Sequence, residues 1–336
     1  MSNNILMITY FFNETDGVGS IRSRTLNKFL NEQEISTTVL DKRYFGEFFC
    51  KNFILWTFAV FFKILFSKEK KVYVSCGPFQ HLIFIVLASG IRRKELIIDF
   101  RDPWSLNIKG GYNNTVKINQ QKLKLAMKIE KISYQYCKYF IVCTKGMYEE
   151  YKDLFKSDDK LKLMTNGYDF EPVENTKDID YSNLNVVCLG KFAEYDTEKA
   201  KKAIQEVLCL AKDKNNLKLN LIGSDRAINA ALLDEFDLLD NTVFYERMEY
   251  KQALEIASQC NLGMLVLRNE NIEYGTKIFD YIGLGLKIID NFEFDSLFKN
   301  EFNSFIINTS FNSVGKKNCL KFNRVYIYKE NLELFC

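Results

Sequence analysis

A chain of 336 residues exceeds the roughly 250–300 at which a single hydrophobic core stops growing, so two domains are expected. Its 29 Phe and 18 Tyr against only 3 Pro exclude low-complexity and disordered classes. The net charge of +3 conceals an asymmetry: residues 1–170 carry 26 basic and 17 acidic side chains, net +9, while residues 171–336 carry 20 and 26, net −6.

A basic first half steers toward phosphates, of nucleic acid or of an anionic membrane surface, and its scattered Lys without a nucleic-acid motif argue against nucleic acid. The opening MSNNILMITYFF lacks a basic region followed by a long apolar core, so no secretory signal is expected. Short apolar strands are predicted at 5–10, 37–40, 72–75, 96–99, 140–143 and 161–164, separated by helices near 20–33, 48–66, 79–90, 116–137 and 145–155. FILWTFAVFFKILF, Phe53–Phe66, is the most apolar run, flanked by Lys51, Lys68, Lys70 and Lys71. Fourteen residues are too few to span a bilayer. This helix either packs between a sheet and its neighbours or lies in a membrane interface, and the two readings suit different faces.

The polar stretch EPVENTKDIDYSN reads as a linker. Strands then resume near 186–189, 217–222, 243–245, 262–267, 287–289 and 305–307, with helices near 197–212, 226–238, 250–258, 277–283 and 293–300. Strand-helix alternation implies parallel sheets covered on both faces. The predicted class is α/β, two Rossmann-like doubly wound domains facing across a cleft: a first domain over 1–170, a linker at 171–184, a second domain over 185–310, and an extension at 311–336 whose segment 325–328 suits a strand or a helix start. Nine Cys without a CxxC pair, and a single His, argue against zinc and for reduced thiols in a cytoplasm.

Three stretches carry candidate chemistry. In EYGTKIFDYIGLGLKIID a polar loop ends in Gly275 and Thr276, and a helix begins near Lys277 with Asp280 in its first turn. Free N–H groups beside a glycine hold phosphate, and a carboxylate one turn in accepts hydrogen bonds from a sugar diol, so a nucleotide fits; an ordinary loop-helix-strand unit is the alternative. After the first strand, Gly17 and Gly19 open a helix bearing Arg22 and Arg24, a second anion candidate. These glycines stand too far beyond the strand for a dinucleotide turn, which weighs against an oxidoreductase. The fourth strand runs into Asp99, Arg101 and Asp102 at its carboxyl edge, which serve either a ligand or a loop-pinning ion pair.

The segments SCGPFQHLIFIVLASGI, IIDFRDPW, LMTNGYDFEPV, VVCLGKF and GTKIFDYIGLGLKII together resemble the retaining GT-B glycosyltransferases of family 4, especially bacterial members that build surface polysaccharides such as O-antigen or capsule, over most of the chain. The resemblance implies a nucleotide-sugar donor held by the second domain through Glu273, Gly275, Thr276, Lys277 and Asp280, with Lys199, Lys201 or Lys202 as the alternatives for a second phosphate clamp and Gly17 and Gly19 near the donor phosphates. Lys191 matches the basic residue after the first strand of that domain. Departures are Asp280 where Glu is usual, Ile272 where a second acid is usual, and a missing Lys-Gly pair. The resemblance further implies metal-independent, cofactor-free transfer with retention. Asp102 and His81 would then orient hydroxyls, with Arg22, Asp99 and Arg101 on the acceptor side. A helix-packing role for His81 stands beside this. Asp178 and Asp180, in the linker, do not count as a manganese pair. A polyprenyl-diphosphate-linked acceptor at the inner membrane face, met through Phe53–Phe66, suits the basic first half. A decayed member acting as a binding partner, and a sugar-nucleotide epimerase, are the alternatives.

Overall fold

The computed structural model describes residues 4–110, 119–173, 179–307 and 319–336. Segments 174–178 of the expected linker, with Asp178, and 311–318 of the expected extension lie outside these residues, as do 116–118 of a predicted helix. The chain divides into two compact units, Met1–Thr165 with Ile327–Cys336, and Asn166–Tyr326.

In the first unit β1 (Ile5–Thr9), β2 (Thr37–Leu40), β3 (Lys71–Cys76), β4 (Glu95–Phe100), β5 (Tyr139–Val142) and β6 (Leu161–Leu163) form one parallel sheet in the order β2-β1-β3-β4-β5-β6. The strands at its centre are apolar runs because helices cover both faces: all five residues of ILMIT in β1 are buried. The helices of this unit are α1 (Val18–Glu32), α2 (Glu47–Cys50), α3 (Phe53–Phe66), α4 (Leu82–Ile91), α5 (Trp104–Gly110), α6 (Gln120–Tyr136) and α7 (Lys145–Phe155). Asn52 starts α3 by accepting from the N–H groups of Ile54 and Leu55, and Thr144 starts α7 by accepting from Met147. The chain leaves β1 toward β2 on one side and returns to β3 on the other, so the loops after β1 and β3 flank the topological switch point. The short helix α5, which carries no apolar period, was not legible in the sequence.

In the second unit β7 (Asn185–Leu189), β8 (Lys218–Ile222), β9 (Thr242–Tyr245), β10 (Leu262–Met264) and β11 (Lys287–Ile288) form a parallel sheet in the order β11-β10-β7-β8-β9. Its helices are α8 (Thr197–Leu210), α9 (Arg226–Asp234), α10 (Tyr250–Ala257), α11 (Lys277–Gly283) and α12 (Leu297–Phe302). Here the switch point lies between β7 and β10. The strand predicted at 305–307 is reduced to one bridge, Ile306 to Ile288, because the chain is in a 3-10 turn until Phe305.

The ambiguous C-terminal segment is a helix, α13 (Arg324–Glu330). Ile327, Tyr328, Leu334 and Phe335 belong to the core of the first unit with Ile5, Met7, Leu26 and Phe29. The Tyr328 hydroxyl shares a hydrogen bond of 2.9 Å with Thr25 and donates to the carbonyl of Arg22 at 3.1 Å.

Candidate functional site

The second unit supplies a charged cluster at its switch point. α11 is seven residues long, and Thr276 at its N-cap makes no side-chain hydrogen bond to the helix. Gly275 before it has φ +66°, a conformation that strains any residue with a side chain. Gly190, just beyond β7, has φ +79°, and a Cβ there would stand 3.7 Å from Cε of Lys277, so the Lys277 side chain lies over the end of that strand. The Lys277 ammonium stands 3.8 Å from Oδ2 of Asp280. Asp280 is 3% exposed, and its Oδ1 accepts from the Tyr250 hydroxyl at 2.6 Å. Burial pushes the Asp280 carboxyl up, opposed by the Lys277 charge, the Tyr250 bond and the more distant Arg324. Arg324 itself pairs with Asp169 at 2.7 Å.

The other expected donor-side residues of this unit differ in availability. Lys191 is exposed, its ammonium 5.9 Å from the Tyr195 ring. Lys199 is committed elsewhere: its ammonium is 2.8 Å from Oε1 of Glu270 and 3.1 Å from the Leu267 carbonyl. Glu270 is buried, and its other oxygen accepts from the Glu293 N–H at 2.8 Å, so Lys199 and Glu270 tie three chain segments together. Glu273 is half-buried, its N–H bonded to the Asn269 carbonyl.

In the first unit the glycine loop is rigidly held. Asp16 accepts from the N–H groups of Phe12 and Asn13 at 3.0 Å, from Lys42 at 2.6 Å and from both terminal nitrogens of Arg43 at 3.0 Å. Burial raises this carboxyl, but those donors outweigh it and hold it well below the usual carboxylate range. Gly17 follows with φ +71° and starts α1. Gly19 needs no such freedom, since a Cβ would meet Phe11 only at 3.9 Å.

Arg22 and Asp99, expected on the acceptor side, lie in the interior, 2% and 0% exposed. Nε and Nη2 of Arg22 donate to the two Asp99 oxygens at 2.8 and 3.0 Å, and its terminal nitrogens also reach the Thr165 and Met164 carbonyls. The Tyr73 hydroxyl adds a 2.5 Å bond to Asp99. Any contact of this pair with a ligand requires breaking a saturated network. Arg101 is half-buried and donates to the Gly19 carbonyl, tying the loop after β4 to the first turn of α1, while Asp102 is exposed.

His81 immediately precedes α4 and is 1% exposed, its ring edge-on to Phe53 at 5.7 Å and to Trp56 at 5.4 Å. Neither ring nitrogen has a hydrogen-bond partner among the described residues, and burial pushes the imidazole down to about 4. Glu130, on α6, was not singled out by the sequence. It is fully buried, accepting from Ser105 N–H at 3.0 Å and Tyr151 hydroxyl at 2.9 Å, and burial lifts it to about 7 against those two bonds.

No family model matches this sequence, and no curated protein matches it. Solved structures do. The chain aligns with Anabaena HepE in complex with UDP and glucose at a TM-score of 0.61 and 12% identity, over 98% of each chain. It aligns with sucrose-phosphate synthase from Thermosynechococcus elongatus at 0.57 and 13%, over 85% of this chain and 80% of that one. With WaaG, a glycosyltransferase involved in lipopolysaccharide biosynthesis, the values are 0.54 and 9%, over 98% and 92%. The fold is GT-B. Within it, the residues that sequence reasoning missed are Tyr250 and Glu270. Tyr250 stands 30 positions before the carboxylate that it binds, and no local pattern joins the two.

Proposed function

We propose that the protein is a nucleotide-sugar-dependent glycosyltransferase that moves a sugar to a glycan acceptor with retention and without a metal. The observation that carries this reading is the cluster at the β7/β10 switch point, where a buried carboxylate, Asp280, stands beside an ammonium, Lys277, laid over a positive-φ glycine. A carboxylate there accepts from ribose hydroxyls, and the ammonium faces the diphosphate. HepE, of the same GT-B fold, holds UDP and glucose, which supports a sugar nucleotide as the ligand. Negative charge developing on the departing diphosphate would be stabilised by Lys277, by Lys191 and by the main-chain N–H groups following Thr276. One such donor is worth about 2.7–4 kcal/mol of barrier. The diphosphate itself would take the acceptor's proton. Of the residues expected to orient hydroxyls, Asp102 is the exposed one. Calorimetric titration with UDP, GDP and common sugar nucleotides tests the reading: binding of one of them should weaken by roughly 1.5–3 kcal/mol in Asp280→Ala. A folded protein that binds none of them overturns it.

The acceptor in this reading is a lipid-linked glycan of surface polysaccharide synthesis, reached at an anionic membrane surface. The support is an apolar stripe. Ile54, Phe58, Phe62 and Phe66 recur every four residues along α3 and are 65, 45, 54 and 81% exposed. Phe58 packs on Phe84, and α4 extends the stripe with exposed Leu87 and Ile91, ending at exposed Arg92 and Arg93. Aromatic side chains beside Arg and Lys suit a bilayer interface, and no helix among the described residues is long and apolar enough to cross a membrane. Flotation with anionic vesicles at low and high salt checks this; absence of binding in both removes the membrane contact.

A further inference from the structure

Asp280 is only half used by the protein. Its Oδ1 is pinned by the Tyr250 hydroxyl at 2.6 Å, whereas Oδ2 accepts no hydrogen bond among the described residues and has the Lys277 ammonium at 3.8 Å. Both partners ride on fixed elements. Ala257 from α10 and Ile278, Phe279, Tyr281 and Ile282 from α11 share one core cluster, so the geometry of the pair does not depend on a loop. A phenol that donates its proton keeps lone pairs on the same oxygen. Oδ2 of Asp280 and Oη of Tyr250 are therefore two neighbouring acceptors held at fixed spacing, and the feature that matches two acceptors is a pair of vicinal hydroxyl donors.

We propose that Tyr250 and Asp280 together read the cis diol of the donor's ribose, one hydroxyl donating to Oδ2 and the other to the Tyr250 oxygen, which makes Tyr250 the residue that selects ribonucleotides over 2′-deoxynucleotides. The inference rests on the nucleotide-sugar reading of this site and names a residue which that reading does not contain. Lys277 remains free to face the diphosphate, since its contact with Asp280 is longer than a hydrogen bond.

Calorimetry with UDP, GDP and their 2′-deoxy counterparts, on wild type, Tyr250→Phe and Asp280→Asn, with thermal melts to confirm folding, tests it. Wild type should prefer the ribonucleotide by about three- to tenfold, as a hydrogen bond between neutral groups predicts. Tyr250→Phe should weaken ribonucleotide binding by about three- to tenfold while leaving the 2′-deoxy ligand little changed, so that discrimination collapses. Equal loss for both ligands would mark a purely structural tyrosine and overturn the proposal. Unchanged discrimination, or tighter binding in Tyr250→Phe, would overturn it too, the latter by showing that the phenol plugs the site. Should Tyr250→Phe fail to fold, Asp280→Asn decides: it keeps an acceptor for Tyr250 and turns the other oxygen into a donor, so it should weaken the ribonucleotide and its 2′-deoxy counterpart alike and keep the preference between them, and loss of that preference would overturn the proposal. Wild type that binds no nucleotide at all removes the donor reading itself; wild type that binds without discriminating removes only this one.

Discussion

Two cation-carboxylate pairs sit near the carboxyl edges of the two sheets, and they differ in how completely they are satisfied. Arg22 and Asp99 in the first unit make a two-pronged contact, and the guanidinium spends its remaining donors on main-chain carbonyls. Lys277 and Asp280 in the second unit stand 3.8 Å apart, and one carboxylate oxygen accepts nothing from the described residues. The first arrangement is closed and holds α1 to β4 and to the segment after β6. The second leaves an oxygen and an ammonium with unspent bonding capacity, which is what a ligand requires. Saturation, more than burial or charge, distinguishes the two pairs.

The largest expected effect comes from breaking the closed pair. Arg22→Ala leaves Asp99 buried without its cation, and unfolding by urea should show a loss of about 3–5 kcal/mol. Nucleotide affinity measured below the transition should stay at the wild-type value. Replacing both members by apolar residues, Arg22→Met with Asp99→Leu, should recover much of the stability, because no charge is then stranded. A stable Arg22→Ala protein would erase the distinction between the two pairs.

This difference explains what could be read from sequence. The strands were legible because a parallel sheet buried on both faces leaves apolar runs such as ILMIT and ELIID, and the glycine at 275 announced a special backbone. That Asp99 and Asp280 would play opposite parts was not legible. Both are acids in apolar surroundings along the chain, and the partners that distinguish them, Arg22 and Tyr250, are 77 and 30 residues away. The helix α5 was missed because Pro103 and Trp104 read as loop, and the return of the last ten residues to the first core was hidden because a short apolar segment does not say which sheet it meets.

The first unit also contains ionisable groups with no charge partner, and their pH response sharpens the comparison. Glu130 is raised by burial to about 7 from an ordinary 4.5. Its protonated form is the one favoured by the fold, so its contribution is full below pH 4.5 and falls as pH rises to about 7, by roughly 3 kcal/mol at 1.36 kcal/mol per pKa unit. His81 is lowered by burial to about 4 from 6.5, so its contribution is full above pH 6.5 and falls as pH drops toward 4. The slopes oppose one another between pH 4.5 and 6.5, and wild-type stability should be nearly flat there. Glu130→Gln should expose a rise of stability with pH, and His81→Leu a fall. Parallel profiles in wild type and both variants would mean that neither group is desolvated as its packing implies.

The smallest effect on stability should come from the open pair. Burial raises the Asp280 carboxyl above its ordinary 3.8, so its contribution to folding is full below that pH and is lost as the group ionises in the folded protein. The charged form is therefore kept at a cost that Lys277 and Tyr250 only partly offset. Asp280→Asn removes the charge but keeps an acceptor for the Tyr250 hydroxyl, and thermal unfolding at pH 7 should show stability unchanged or higher by up to about 1 kcal/mol. The same variant should bind nucleotide more weakly, the reverse of Arg22→Ala. A loss of several kcal/mol in Asp280→Asn would place this carboxylate with Asp99, as a residue that the fold needs, and would leave the second sheet without an oxygen to offer a ligand.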